Sequence, residues 1–149
     1  MVDTLTPAQR SERMSRIRST DTKPEVALRQ ALHRLGFRFR LHGRRLPGKP
    51  DIVLTKYHTV IFVHGCFWHR HEGCKVATTP KSNTEFWIEK FSRNVARDAV
   101  ALEQLRAAQW RVIVAWECDL ASAAKAAAKA TEIAAQIRSI ACKDGIVDR

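Results

Sequence analysis

A chain of 149 residues is most simply one domain, long enough to bury a core, and a hydrophobic fraction of 45% excludes a disordered polymer. The formal net charge of +11 excludes an acidic surface and points to a polyanion partner, with nucleic acid favoured over an acidic membrane because no strongly hydrophobic basic helix is visible. The N-terminal "MVDTLTPAQRSERM" has no apolar core of the kind an export signal carries, and no run approaches the ~18 residues of a membrane span. A reducing cytoplasm, at the nucleoid, is therefore the expected compartment, and the four cysteines read as a metal site rather than as disulfides.

In chain order, Thr6-Pro7 opens a short helix to about Ile17. Arg10, Arg13, Arg16 and Arg18 give it a basic surface, with Met14 and Ile17 as its apolar anchors, so residues 1–20 read as a DNA-gripping arm. Twelve of the 26 Lys and Arg residues lie between Arg10 and Lys49, which concentrates the charge toward that end. A second helix is expected over about 23–35, with Val26, Leu28, Ala31, Leu32 and Leu35 as its apolar face and Gly36 as its stop. "FRFRL" alternates like a half-exposed strand, and "HGRRLPGKP" is a basic loop.

"DIVL" and "TVIFV" read as buried strands, joined closely enough by "TKYH" to be antiparallel. "SNTE" at 82–85 has the form of a capping box and starts a long helix to about Ala108. "WRVIVAW" is a third buried strand, the stretch 120–141 a terminal helix, and 142–149 a tail. The order strand 59–63, helix 84–108, strand 110–116 predicts a parallel pair. Cys66 and Cys118 each follow one of these strands, so they should emerge on the same edge of the sheet.

Cys66, His71 and Cys74 together with Cys118 supply three thiolates and one imidazole, a closed tetrahedral set of the kind structural zinc takes. The plain alternative is buried cysteines beside exposed loop histidines, and Cys142 is the remaining candidate ligand. Four protein ligands leave no open position, so the metal's role is structural. His64 and His69 are then free for other work.

Pro50-Asp51 at a strand entry, with a second strand returning beside it, is the skeleton of the PD-(D/E)XK nuclease core, although Phe62-Val63-His64 stands where Glu-x-Lys is expected. The larger set "RSERMSRIRSTDTKPE", "LPGKPDIV", "VIFVHGCFWHRH", "TEFWIEKFSRNVARD" and "WRVIVAWEC" resembles the very short patch repair (Vsr) DNA mismatch endonucleases of that superfamily, in order over about 10–118. The resemblance implies an α/β, single-domain, restriction-endonuclease-like core over 21–141, with a mixed central sheet flanked by helices and a zinc site. It implies Mg²⁺-dependent nicking of duplex DNA 5′ to the T of a T:G mismatch, leaving 5′-phosphate and 3′-hydroxyl ends. A monomer working with other mismatch-repair proteins and a repair polymerase is the implied setting.

Residue by residue, the resemblance makes Asp51 a Mg²⁺ ligand together with the main-chain carbonyl of Val63. His69 becomes the general base, with His64 near the scissile phosphate, Glu25 behind the metal's water shell and Asp98 orienting a histidine. Phe67, Trp68 and Trp87 become a wedge inserted beside the mismatch, where unstacking is least costly. Blander roles exist for each: a first-turn acid for Glu25, a surface partner of Arg97 for Asp98, a backbone-satisfied histidine at 64, core packing for Trp87. The loop "HRHEGC" departs from the family pattern at Arg70, Glu72 and Gly73, which keeps both His69 and His71 open as the zinc histidine. A sequence-specific nuclease on the same core and a non-catalytic zinc DNA-binding module are the alternatives.

Overall fold

The computed structural model describes residues 21–143 together with Thr6, Ala8 and Gln9. The expected N-terminal helix, with Arg10, Arg13, Met14 and Arg16, lies outside the described residues, as do the side chain of Cys142 and the tail from 144. The described chain runs α1 (Lys23–Arg34), β1 (Arg40–Leu41), β2 (Ile52–Leu54), β3 (Thr59–His64), α2 (Thr84–Ala107), β4 (Arg111–Trp116) and α3 (Ala123–Lys143). The strands form one mixed sheet in the order β1-β2-β3-β4, antiparallel except for the parallel pair β3–β4.

Alternation along the strands divides the molecule into layers. Ile52, Leu54, Ile61 and Ala115 point to one face, against Leu28 and Leu32 of α1 and Ile133 and Ile137 of α3. Val53, Val60 and Phe62 point to the other, where Leu105 of α2 meets them. Alanines 126, 130 and 134 recur at helical spacing on the buried side of α3, so that helix packs through small residues. Asp51 precedes β2 with the parity of Val53, and His64 ends β3 with the parity of Phe62, so both fall on the α2 face.

Three expectations are corrected. "FRFRL" pairs as a strand only at Arg40 and Leu41, because Phe37 turns into the core, edge-on to Tyr57 at 5.8 Å. β4 is half-buried apart from Ala115, as befits an edge strand. The capping box does not form: Asn83 occupies the N-cap position at φ 53° with no side-chain cap bond. The Thr84 hydroxyl instead donates to the carbonyls of Pro80 (3.3 Å) and Lys81 (3.1 Å). Among the described residues, no helix is long and apolar enough to cross a membrane.

Candidate active site and metal centre

An open cleft of about 1150 Å³ lies on the α2 face. Its floor includes Phe62 and the "LPGKPD" loop, and its walls carry Arg44, Lys49, Lys90 and Arg97. Gly48 brings that loop onto α2: it sits at φ +72°, and a Cβ there would meet the Cβ of Ala101 at 2.7 Å.

Asp51 opens into this cleft and accepts the Val63 N–H at 2.6 Å through Oδ2. Burial raises its carboxyl to about 6; the Val63 N–H opposes that rise and the neighbouring charge of Glu25 adds to it. Glu25 sits in the first turn of α1, yet it is only 1% exposed, so it is not a solvated helix-end acid. Its Oε1 has no hydrogen-bond partner; His42 Nδ1 lies 3.6 Å away and Arg29 Nη1 3.8 Å away. A buried carboxylate with an orphaned oxygen and a half-buried one that feels its charge form an oxygen-rich site whose charge a hard divalent cation would offset.

His69 Nδ1 lies 2.6 Å from Asp98 Oδ2. A carboxylate at Nδ1 holds the proton there and leaves Nε2 as the basic nitrogen. His64 stacks flat on His69, with ring centroids 3.9 Å apart and planes 4° apart. Burial, aided by the adjacent His69, pulls the His64 imidazole down to about 4, so it is neutral at neutral pH. Asp98 is therefore a histidine partner rather than a surface partner of Arg97, whose guanidinium donates to Asn94 at 3.0 Å.

The structure sorts the two open histidines. His71, not His69, stands among the cysteines, with Nδ1 3.6 Å from Cys66 Sγ and 3.4 Å from Cys118 Sγ. The ligand atoms of Cys66, His71, Cys74 and Cys118 all lie within 4.8 Å of one another. A tetrahedral ion with metal–sulfur bonds near 2.3 Å and metal–nitrogen bonds near 2.0 Å would hold sulfur and nitrogen roughly 3.5 Å apart. The cluster thus forms a possible metal site. Its position follows from topology, since Cys66 and Cys118 follow the parallel strands β3 and β4.

Phe67 and Trp68 are half-buried on top of Trp87 and Phe91, which are 6% and 5% exposed. Phe67 meets Trp68, Trp87 and Phe91 edge-on at 5.1, 5.8 and 5.1 Å. Trp87 is therefore a floor beneath the other two, and the exposed aromatic beside it is Phe86. Sequence reasoning missed His42, Lys90 and Asn94. His42 donates its N–H to the Asp51 carbonyl at 3.1 Å and turns its ring between Asp21 and Glu25. Lys90 lies 5.3 Å over Trp68, and Asn94 donates to the Trp68 carbonyl at 3.3 Å. Their i, i+4 spacing, continuing to Asp98, was a signal; His42 carried none beyond its place in the basic loop.

The family model of the DNA mismatch endonuclease Vsr matches residues 2–75. Over 120 residues, 80% of this chain, it is 48% identical to the type II nicking enzyme V.XorIIP of Xanthomonas oryzae pv. oryzae, covering 88% of that protein. Identity is 49% to the type II nicking enzyme V.NmeAIP of Neisseria meningitidis serogroup A, over 80% of this chain and 85% of that one. It is 43% to the DNA mismatch endonuclease Vsr of Escherichia coli, over 80% and 76%. Identity of this depth over four-fifths of the chain places it in a family: the chain belongs to the Vsr family of DNA mismatch endonucleases.

Proposed function

We propose that this enzyme nicks one strand of duplex DNA 5′ to the T of a T:G mismatch, by Mg²⁺-dependent hydrolysis in a zinc-braced, restriction-endonuclease-like domain. The observation that carries the reading is the His69–Asp98 pair set beside Asp51 in one basic-walled cleft, next to the aromatic stack. Asp51 and the Val63 carbonyl would hold Mg²⁺, with Glu25 behind its waters, and the orphaned Glu25 oxygen suits that role. When bound, the cation offsets negative charge on the attacked phosphate.

His69 Nε2 takes a proton from the attacking water, and Asp98 stabilises the imidazolium that forms. His64, kept neutral by burial, can donate a hydrogen bond to a phosphate oxygen without competing for that proton. Water adds to phosphorus as the bond to the 3′ oxygen breaks, leaving a 5′-phosphate and a 3′-hydroxyl; the departing oxygen is protonated by solvent. That hydroxyl is a primer end, so a repair polymerase is the partner that consumes the product, alongside other mismatch-repair proteins. Cys66, His71, Cys74 and Cys118 would hold Zn²⁺ and pin the loop that carries His69.

Phe67 and Trp68, floored by Trp87, serve as the wedge, while Arg10, Arg13, Arg16 and Met14 of the arm grip the duplex as a monomer binds it in the cytoplasm. Nicking of labelled T:G and matched duplexes, with and without Mg²⁺, tests this. A preference for T:G of at least about a hundredfold is expected, since a matched step resists opening by a few kcal/mol more. Equal nicking of both duplexes would remove the mismatch reading and favour a sequence-specific nuclease.

A further inference from the structure

We propose that Arg70 is a positioning residue that locks the Phe67–Trp68 wedge and thereby sets mismatch discrimination; this rests on the mismatch reading above. Arg70 lies between the two histidines the loop must keep apart: His69 faces Asp98, and His71 faces the cysteines. It is a non-glycine residue at φ 55°, a conformation that L side chains enter only when their surroundings hold them there. The guanidinium supplies the hold. Nη1 donates to the carbonyls of Phe67 (3.3 Å) and Thr78 (2.9 Å), and Nη2 to the Ala77 carbonyl (3.0 Å) and Thr79 Oγ1 (3.2 Å). Its Cζ also lies 4.0 Å from the centre of the buried Phe91 ring, which itself meets Phe67 edge-on.

One planar group therefore joins three pieces: the main chain of the wedge, the loop 77–79, and the aromatic floor. Lysine cannot reproduce this, because a point charge lacks the rigid fork and the flat face. Both terminal nitrogens already donate to protein oxygens, so the fork of the guanidinium is committed to the loop and not turned toward a phosphate. Discrimination needs this stiffness. A wedge that yields when it meets a base step transfers no strain to the stack, so a matched and a mismatched step feel the same to it.

The test compares wild type, Arg70→Lys and Arg70→Ala on three duplexes: T:G, matched, and one already opened by an abasic spacer at the wedge step. Folding is checked by circular dichroism and zinc content by metal analysis. Arg70→Lys should nick T:G about tenfold to a hundredfold more slowly, the range for misplaced reacting or positioning groups, while nicking the pre-opened duplex within about twofold of wild type. Binding by Arg70→Ala, which removes the charge, should keep the wild-type salt dependence, because no phosphate contact is lost. Equal loss on T:G and pre-opened duplexes, no loss on T:G, or a log–log salt slope reduced by about 0.9 would each overturn the proposal. Should Arg70→Ala fail to fold or to hold zinc, Arg70→Lys decides alone. Wild type showing no T:G preference would instead overturn the reading beneath the proposal, a result visible before any variant is compared.

Discussion

The two faces of the sheet are built from the same strands and do opposite things. Toward α1 and α3, Leu28, Leu32, Ile52, Leu54, Ile61, Ile133 and Ile137 are sealed at 1% exposure or less. Toward α2, apolar packing by Val53, Val60, Phe62 and Leu105 fills only the lower part, and above it the sheet opens into the cleft. One face concentrates apolar burial; the other concentrates titratable groups held at or near burial, a destabilising arrangement on its own. The difference teaches that alternation lets a single hairpin serve as scaffold and site at once, with Ile52 and Ile61 facing one way and Asp51 and His64 the other.

Three perturbations break or sharpen that contrast. The largest should erase it. On the zinc reading proposed above, Cys118→Ala removes one ligand from the possible metal site at the ends of β3 and β4, and a structural zinc contributes folding free energy on the order of 10 kcal/mol in small domains. Both the thermal midpoint and nicking should collapse, and metal analysis should find zinc below one per chain; unchanged zinc in this variant would remove Cys118 from the ligand set.

A matched pair of substitutions should then separate the faces. His69→Ala should slow nicking about a hundredfold to ten-thousandfold with little change in urea midpoint or in low-salt DNA binding, which the arginines dominate. Leu32→Ala, on the opposite face, should reduce stability by about 2–5 kcal/mol and leave the nicking rate of the folded protein unchanged. Activity loss in Leu32→Ala at a temperature where it is fully folded would show that the layers are coupled.

The smallest change in stability concerns Asp51. Its carboxyl is raised to about 6 by burial, so the folded, metal-free protein holds it protonated below about pH 6. The stabilisation this gives is fully present below the ordinary value near 3.8 and lost as pH rises through about 6. Asp51→Asn should therefore stabilise the EDTA-treated protein at pH 7, by on the order of 1–3 kcal/mol, while abolishing nicking. For wild type, Mg²⁺ affinity followed by titration should strengthen as pH rises through about 6; affinity flat across that range would mean that Asp51 does not bind the cation.

Much of this plan was legible in residues 51–118, for physical reasons. Alternation placed Ile52, Val53, Val60 and Ile61, and the helix between two apolar strands forced the parallel pair that brings Cys66 to Cys118. What escaped was set by local geometry or by tertiary context. The left-handed Asn83 defeats the capping box, because a capping residue needs extended backbone. Trp87 reads equally well as wedge or floor until packing decides its exposure. Lys90 and Asn94 share an i, i+4 row with Asp98, but only the cleft gives that row a target. His42 gains its meaning from a fold-back that lays the basic loop beside Glu25.

Gly48 has a consequence for anyone who would re-engineer this cleft. Its contact with Ala101 leaves no room for a side chain at 48, and shrinking residue 101 does not relieve the left-handed backbone that 48 also requires. The depth of the floor is thus set by main chain against helix, and cannot be tuned by side-chain choice at that point. A library meant to change what the cleft accepts should hold 48 and 101 constant and vary Arg44, Lys49, Lys90 and Arg97 along the walls. Variants selected with a larger residue at 48 should carry a displaced loop, and with it a displaced Asp51.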